Sequence, residues 1–280
     1  MSIILNRFFK YSTLFLLPFL KLCYLFFPSR TSVRVLTYHH IDDHQIEGLR
    51  KQILRLGETW EFIDPQTFDQ YMRGEVSLEG RFLLITFDDG FASAALAAKK
   101  VLNPLGLKAI FFVCSDFVGF DDAMRVSSAV VADKLNLEAA PPMLSSNDAS
   151  EIIAAGHSIG CHTASHENLA SLSLSNTTEK EIVGAKLELE ERFNIDCLFF
   201  CWPFGTLECI DQKSLSIAFS AYRYVFSGFR GNNACRDSGR VIARDSISVN
   251  DSWFLTEFYL LGGFDWIYRP RLFTCDSWGK

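Results

Sequence analysis

An apolar stretch that ends abruptly in two acids, residues 81–90 (RFLLITFDDG), constrains the fold more than any other part of the sequence. Residues 82–87 can be buried on both faces, as the strands of parallel sheets are. Asp88 and Asp89 then lie where the strand leaves the core, and Gly90 allows backbone conformations that a larger residue resists. The stretch therefore predicts a functional site at a strand end, although Asp-Asp-Gly also forms ordinary turns.

Similar apolar runs recur along the chain, separated by segments with helical character. Strands are predicted at 33–38, 82–87, 108–114, 157–161, 197–201, 222–227 and 240–249. Helices are predicted at 92–102, from a cap at Asn147 or Asp148 to Ala155, behind a Thr178–Glu181 capping box, and at 252–261. Residues 45–75 are interpreted as surface segments and 115–146 as an insertion. Strands that alternate with helices over about 220 residues indicate a parallel α/β fold, most simply a barrel.

The first 30 residues differ in composition from the rest. Residues 11–27 are rich in Leu and Phe, but Pro18 and Lys21 interrupt them, and the run is short for a membrane-spanning helix. We expect residues 1–30 to form a hydrophobic helix that anchors the protein to a membrane or lies in its interface, with a helix docked on the barrel as the alternative. No small-residue cleavage site follows the run, which makes a removed signal peptide the weaker alternative. One folded domain is expected over 31–280. Basic residues flank the run at both ends, which leaves the side of the membrane open.

Composition excludes some functions. The net charge is −6, which argues against a nucleic-acid partner held by phosphate neutralisation. The eight cysteines lack the paired spacing of a zinc ribbon. Because several lie in apolar runs, we interpret them mainly as buried hydrophobic residues rather than disulfides.

A second polar motif, residues 156–166 (GHSIGCHTASH), follows another strand-like segment. His162 and His166 are four residues apart, so one helical turn or a tight loop places both imidazoles on one side. With a carboxylate from a neighbouring strand end they make a set of two histidines and one aspartate that suits a metal. The alternative is a purely structural pair of histidines.

The segments 86–90 (TFDDG) and 162–166 (HTASH), in that order, resemble the first two motifs of the polysaccharide deacetylases, carbohydrate esterase family 4. The similarity extends over about residues 33–265. It implies a distorted (β/α)7 barrel and metal-dependent removal of acetyl groups from an N-acetylated sugar. By this resemblance Asp88 is the general base, and Asp89, His162 and His166 hold a divalent metal, usually Zn²⁺.

Residues 202–205 (WPFG) resemble the third family motif, usually Arg-x-Pro-Tyr, with Cys201 at the arginine position and Phe204 at the tyrosine. The tyrosine's backbone N–H serves the oxyanion in the family, so phenylalanine is expected to suffice. Cysteine cannot orient the base carboxylate as arginine does. Arg244 falls where family members often carry a later arginine and is the candidate for that role, with an ordinary surface arginine as the alternative.

The family's C-terminal Leu-x-His motif is absent, because all six histidines precede residue 167. Some similar deacetylases carry a Tyr-His pair on the first strand, which Tyr38 and His39 match. His39 is therefore the candidate general acid, with His40 second. His157 and Glu167 are interpreted as supporting residues or bystanders. Three aromatic residues are candidates for a sugar platform or for core packing: Trp202, Phe204 and Trp253.

The sequence thus favours a metal-dependent N-deacetylase that acts on a polysaccharide or lipid-linked glycan at a membrane. Two alternatives stay open. One is a catalytically weakened, sugar-binding protein on the same fold, since fold does not fix function. The other is a deacylase of a smaller amide or ester.

Overall fold

The structure is a computed structural model that describes residues 31–119, 128–172, 175–234 and 241–278. The predicted membrane anchor, residues 1–30, lies outside this part of the chain. Among the described residues, none of the helices combines the length and apolar character needed to cross a bilayer.

A curled parallel sheet forms the centre of the fold. The strand order is β7-β6-β5-β4-β3-β1-β8, and β2 pairs with β3. A parallel bridge between Phe226 and Ile242 also connects β7 to the segment that leads into β8. This arrangement is consistent with the predicted distorted (β/α)7 barrel. The strands are β1 Thr31–Tyr38, β2 Glu61–Phe62, β3 Gly80–Phe87, β4 Ala109–Val113, β5 Ser158–Cys161, β6 Phe199–Cys201, β7 Tyr224–Phe226 and β8 Asp245–Ser246.

Helices follow most of the strands and pack on the outside of the sheet. Several begin at side-chain caps: Asp64 accepts a bond from Thr67 N, and Asp211 accepts one from Ser214 N. The helices are α1 Ile46–Leu56, α2 Pro65–Met72, α3 Ala92–Ala97, α4 Ser128–Lys134, α5 Ser146–Ala154, α6 Ser175–Glu179, α7 Ala185–Phe193, α8 Gln212–Ala221, α9 Trp253–Leu260 and α10 Asp265–Trp278. A π-helical turn, Lys180–Gly184, joins α6 to α7.

Alternation along the strands divides the buried side chains into two clusters. One cluster takes alternate residues, such as Val33, Val35 and Leu84, and is packed within the curled sheet. Phe68 of α2 belongs to this inner cluster and contacts Phe226 at a centroid distance of 6.0 Å. The other cluster includes Leu36 and lies between the sheet and its helices. The inner face continues past the strands into the polar residues of the site.

Six of the seven predicted strands are confirmed, with ends shifted by two residues at most. The exception is 240–249, whose described part, residues 241–249, contains only the Ile242 bridge and the short β8. Residues 45–75 are not mere surface segments, since α1 and α2 bury Leu49 and Phe68 in the two clusters.

Two predicted helix starts are wrong. The Thr178–Glu181 capping box lies inside a helical segment that already begins at Ser175, and the Glu181 carboxylate binds a loop instead. Helix α5 is capped by Ser145, whose side chain accepts a bond from Asp148 N. The predicted insertion at 115–146 contains α4, which contributes to the site.

Candidate active site

Polar side chains collect at the carboxyl ends of the parallel strands, where sites of barrel proteins lie. His39 follows β1, Asp88 and Asp89 follow β3, and His162 follows β5. Arg244 instead lies at the amino end of β8, and its long side chain reaches Asp88 from there. Four of these five side chains are buried, and His39 is half exposed. Buried charged groups require partners, so their contacts show what each one does.

Asp89, His162 and His166 converge on one point. One ligand atom from each residue lies within 4.8 Å of those of the other two. Asp89 Oδ1 is 3.5 Å from His162 Nε2 and 3.4 Å from His166 Nε2. Burial acts to raise the pKa of Asp89, but the two neighbouring histidines outweigh this effect and lower it. The three residues that the sequence selected are therefore adjacent in space.

Hydrogen bonds at the far side of each imidazole orient the two rings. His162 Nδ1 lies 2.7 Å from the carbonyl oxygen of Cys201, and His166 Nδ1 lies 3.1 Å from that of Lys134 in α4. A carbonyl only accepts, so each Nδ1 donates and each Nε2 atom is the one that faces Asp89. One nitrogen from each imidazole and one carboxylate fit a divalent cation, and orienting bonds of this kind are typical of metal-binding histidines.

Four residues around this point have left-handed backbone conformations that side chains disfavour. Their φ angles are +70° at Asp89, +68° at Thr163, +59° at His166 and +64° at Phe204. Each such residue costs about 1–3 kcal/mol and persists only where its surroundings impose it. Clustering of this strain indicates that packing holds the ligand geometry in place.

Glu181 supports the loop that carries the histidines. Its Oε2 accepts hydrogen bonds from Ala164 N at 3.0 Å and Ser165 N at 2.9 Å, and its Oε1 accepts one from Ser165 Oγ at 2.7 Å. The Thr163 hydroxyl also accepts a bond from His166 N at 3.0 Å. Sequence reasoning missed the role of Glu181 because its spacing from Thr178 matched a capping box.

Asp88 has different partners from its neighbour. Arg244 donates two parallel hydrogen bonds to it, from Nη1 to Oδ1 at 2.7 Å and from Nη2 to Oδ2 at 2.8 Å. Burial acts to raise the pKa of Asp88, but the charge of Arg244 outweighs this effect and lowers it. Asp88 is therefore an anion with a fixed orientation.

Arg244 is itself held by groups inside the sheet. It is 3% exposed, which rules out an ordinary surface arginine. Its Nε donates to the carbonyl oxygen of Ser227 at 2.7 Å, and its Nη2 lies 2.8 Å from Cys201 Sγ. The thiol of Cys201, at the position where the family motif has arginine, thus contacts the arginine that binds Asp88.

The candidate acids occupy different surroundings. His39 Nε2 lies 3.9 Å from Asp88 Oδ2, and its side chain is 50% exposed. His40 instead contacts Ser93 Oγ at 2.9 Å and Asp42 Oδ1 at 3.0 Å. Of the two histidines, only His39 is close to Asp88.

The side chains of His157 and Glu167 have partners outside the triad formed by Asp89, His162 and His166. His157 Nδ1 accepts a bond from Ala109 N at 3.0 Å, and its Nε2 bonds Asn103 Oδ1 at 2.9 Å. Burial, followed by the charge of Lys108, lowers the pKa of His157 to about 4. Glu167 pairs with Lys134. His157 is thus a neutral structural residue.

The three aromatic candidates do not form one platform. Phe204 is 43% exposed, and its ring meets that of His166 at a centroid distance of 4.8 Å. Trp202 is fully buried, and its Nε1 donates to the carbonyl oxygen of Thr206 at 3.0 Å. The expectation that Trp202 contacts substrate therefore gives way to a core role. Trp253 lies under the guanidinium of Arg55, 4.2 Å from its ring centroid.

The sequence profile of the family described as polysaccharide deacetylase matches residues 75–221, more than half of the chain. The chain belongs to the polysaccharide deacetylase family. The match includes Asp88, Asp89 and both histidines of the triad, whereas His39 and Arg244 lie outside it. No curated protein matches the chain.

Solved structures share the polysaccharide deacetylase fold at low sequence identity. IcaB from Ammonifex degensii is 21% identical, with a TM-score of 0.62 over 82% of this chain and 97% of that chain. A de-N-acetylase from Aggregatibacter actinomycetemcomitans is 15% identical, with a TM-score of 0.67 over 81% and 99%. The deacetylase domain of BpsB from Bordetella bronchiseptica is 15% identical, with a TM-score of 0.62 over 77% and 96%. These likenesses establish a common fold.

Proposed function

We propose that this polysaccharide deacetylase is a metal-dependent hydrolase that removes N-acetyl groups from an N-acetylated sugar in a polysaccharide or lipid-linked glycan. One observation carries the proposal: two adjacent carboxylates have separate partners. Asp89 faces two imidazole nitrogens, while Asp88 is bound by Arg244 and lies near His39. One aspartate is thus placed to ligate a metal and the other to move a proton.

In this proposal Asp89, His162 and His166 hold a divalent metal, such as Zn²⁺. When bound, such a metal supplies Lewis acidity, which polarises the amide carbonyl and makes water a stronger nucleophile. Asp88 takes the proton from the attacking water, because its lowered pKa keeps it ionised and ready to accept. Arg244 is a positioning residue that holds the Asp88 oxygens in one orientation.

His39 is proposed as the acid that protonates the departing amine. Its Nε2 is 3.9 Å from Asp88 Oδ2, so the two proton-transfer groups are neighbours. Its half-exposed position lets it exchange protons with solvent. Phe204, whose ring contacts His166, is proposed to border the bound acetyl group.

The catalytically weakened alternative rests on the missing arginine at position 201 and on the missing C-terminal histidine, for which His39 is the proposed substitute. The bidentate contact between Arg244 and Asp88 supplies that interaction from another strand, which favours an active enzyme. A deacylase of a smaller amide or ester uses the same groups, and substrate comparison separates it.

The decisive experiment combines metal removal with acetate release. The purified protein is stripped with a chelator, reloaded with Zn²⁺ or other divalent metals, and assayed on N-acetylhexosamine oligomers and small acyl esters. Loss and recovery of acetate release from the oligomers support the proposal. Release that continues after complete metal removal contradicts it, and hydrolysis of the small esters alone favours the alternative deacylase.

We also propose that residues 1–30 attach the protein to a membrane. The support is their sequence, a Leu- and Phe-rich run flanked by Arg7, Lys10 and Arg30. Co-sedimentation of the full chain with anionic lipid vesicles tests this proposal. A variant with Leu16→Asp and Phe19→Asp is expected to stay in the supernatant, and equal sedimentation of both proteins would contradict it.

A further inference from the structure

The outward side of α10 exposes aromatic side chains to solvent. Trp266 is 71% exposed and Phe273 is 75% exposed, the two highest values among the large hydrophobic side chains that the structure describes. They are seven residues apart, so they lie on one side of the helix, about two turns from each other. The other exposed residues of α10 share this side, at spacings of three and four: Arg269, Pro270 and Ser277. These five residues form an aromatic and basic surface, the α10 stripe.

The opposite side of α10 packs on the barrel. Leu272 and Cys275 are buried there, and the ring of Tyr268 lies 6.2 Å from that of Phe229. A rotation of the helix that buried the stripe would expose these core residues to water. The aromatic rings are therefore fixed outward, and exposed apolar surface of this kind marks an interaction site.

The α10 stripe is positively charged, although the chain as a whole has a net charge of −6. Arg269 is exposed between the two aromatic residues. Both acids of the helix bind groups of the protein instead: Asp265 accepts a bond from Arg34 at 2.6 Å, and Asp276 accepts one from Val241 N at 3.1 Å. The stripe thus presents a guanidinium and no carboxylate, which complements an anionic surface.

The α10 stripe also lies near the point where residues 1–30 join the fold. Asp265, the neighbour of Trp266 in the chain, binds Arg34 of β1. Arg34 is only three residues after Thr31, which is about 10 Å of extended strand. The hydrophobic run that we propose to attach the protein to a membrane therefore enters the barrel close to the start of α10.

We propose that the α10 stripe lies on the surface of an anionic lipid bilayer. The proposal builds on the proposed membrane attachment by residues 1–30 and adds a second contact. The rings of Trp266 and Phe273 enter the headgroup region, where aromatic side chains are favoured, and Arg269 binds lipid phosphates. Contacts at two separate places restrict rotation of the barrel relative to the bilayer.

The first test locates the stripe on vesicles. The full chain is bound to vesicles of phosphatidylcholine and phosphatidylglycerol with brominated acyl chains, which quench tryptophan fluorescence on contact. In Trp266→Phe most of the quenching is expected to be lost, because Trp60 and Trp202 are buried. Trp253→Phe is the matched control and is expected to retain the wild-type quenching. Equal quenching in wild type and Trp266→Phe, or a wild-type chain that binds no vesicles, would overturn the proposal.

The second test measures partitioning into the same lipids without bromine. Trp266→Ser combined with Phe273→Ser is expected to lower the partition coefficient at least about tenfold, because less apolar surface enters the interface. Leu54→Ser combined with Leu187→Ser removes equally exposed apolar side chains from α1 and α7 and is expected to keep the wild-type value. Indistinguishable partitioning of the two double variants contradicts the proposal.

The third test concerns the charge of the stripe. Arg269→Gln is expected to weaken binding to the anionic vesicles about fivefold, which is the scale of one basic residue at such a surface. Its binding to vesicles of phosphatidylcholine alone is expected to be unchanged. Arg50→Gln, at an exposed position of α1, is the control and is expected to change neither value. A loss in Arg269→Gln no larger than in Arg50→Gln counts against the lipid contact.

These measurements separate the inference from the other proposals. None of them requires acetate release, so an inactive enzyme leaves their outcome unchanged. If Leu16→Asp with Phe19→Asp binds as well as wild type while the α10 double variant binds less, residues 1–30 fail as the anchor and the stripe stands. A wild-type dimer in detergent that the α10 double variant dissociates would assign this side of α10 to a second copy and overturn the lipid contact.

Discussion

Two buried arginine–aspartate clusters lie on opposite faces of the same short segment. Arg244 points into the curled sheet and binds Asp88, while Asp245 points outward and binds Arg34. In the outer cluster, Arg34 also donates to Asp265 at 2.6 Å and to the carbonyl oxygen of Tyr259 at 3.0 Å, which ties α9 and α10 to β1. In the inner cluster, Asp88 lies beside the half-exposed His39. The same ion-pair chemistry therefore serves architecture on one face and, we propose, catalysis on the other.

Removing the inner carboxylate tests the catalytic side of this comparison most strongly. Asp88→Asn is expected to lower kcat by about 10⁴-fold, the upper end of what a general base contributes. The metal is expected to stay bound, since Asp89 and the histidines are unchanged, and metal analysis of the purified variant checks this. His162→Ala is the matched variant and is expected to lose both metal and activity. A fully active Asp88→Asn enzyme would contradict the mechanism.

Replacing each arginine with Met compares the two clusters directly. Either change leaves a buried carboxylate without its main partner, which costs about 3–5 kcal/mol of unfolding free energy. Arg34→Met is expected to preserve kcat per folded molecule, whereas Arg244→Met is expected to lower it, because Asp88 loses its orientation. Urea unfolding and active-site titration separate the two effects. Equal kcat losses in both variants would remove the distinction between the faces.

Substitution of the half-exposed His39 beside Asp88 tests its proposed role as the acid. His39→Ala is expected to slow turnover by about 10²-fold if this histidine is the acid. His40→Ala is the control and is expected to have a much smaller effect on turnover, since His40 contacts Ser93 and Asp42. An unchanged rate in His39→Ala would assign the acid role to another group.

The smallest expected effect is a pH dependence of the unfolding free energy, which comes from His157, a buried histidine outside both clusters. The pKa of His157 is about 4 in the folded protein, against an ordinary value of 6.5. Below pH 6.5, His157 is therefore protonated in the unfolded chain but stays neutral in the folded protein. The free energy of unfolding falls as the pH drops toward 4. Between pH 7 and pH 5 this loss is about 1–2 kcal/mol, and His157→Gln is expected to lose less over the same range. Parallel pH profiles of the two proteins in urea unfolding would contradict this account.

The sequence predicted the features that depend on short-range pattern. Strand-like runs placed β3 and β5, and the acids and histidines at their ends pointed to Asp88, Asp89, His162 and His166. Parallel strands bring their carboxyl ends to one edge of a sheet, so residues far apart in sequence were expected to meet.

What the sequence missed depends on tertiary partners and side-chain direction. Glu181 supports the histidine loop across 16 or 17 residues, and Lys134 contributes only a carbonyl, which any residue type has. Trp202 precedes Phe204 by two residues, yet its ring is buried, because the chain turns after β6. Whether Arg244 or Asp245 faces inward is decided by register with β7 and β1, which one-dimensional patterns do not reveal.

The order of the groups along the chain has a consequence during synthesis. All three triad residues lie within the first 166 residues and are therefore synthesised nearly eighty residues before Arg244. Chains are made from the N-terminus, so the half that carries the proposed metal ligands can assemble before the arginine that binds Asp88 exists. The last segment both completes the ring through Ile242 and delivers that guanidinium. The proposed hydrolytic competence therefore requires synthesis of the segment that carries Arg244.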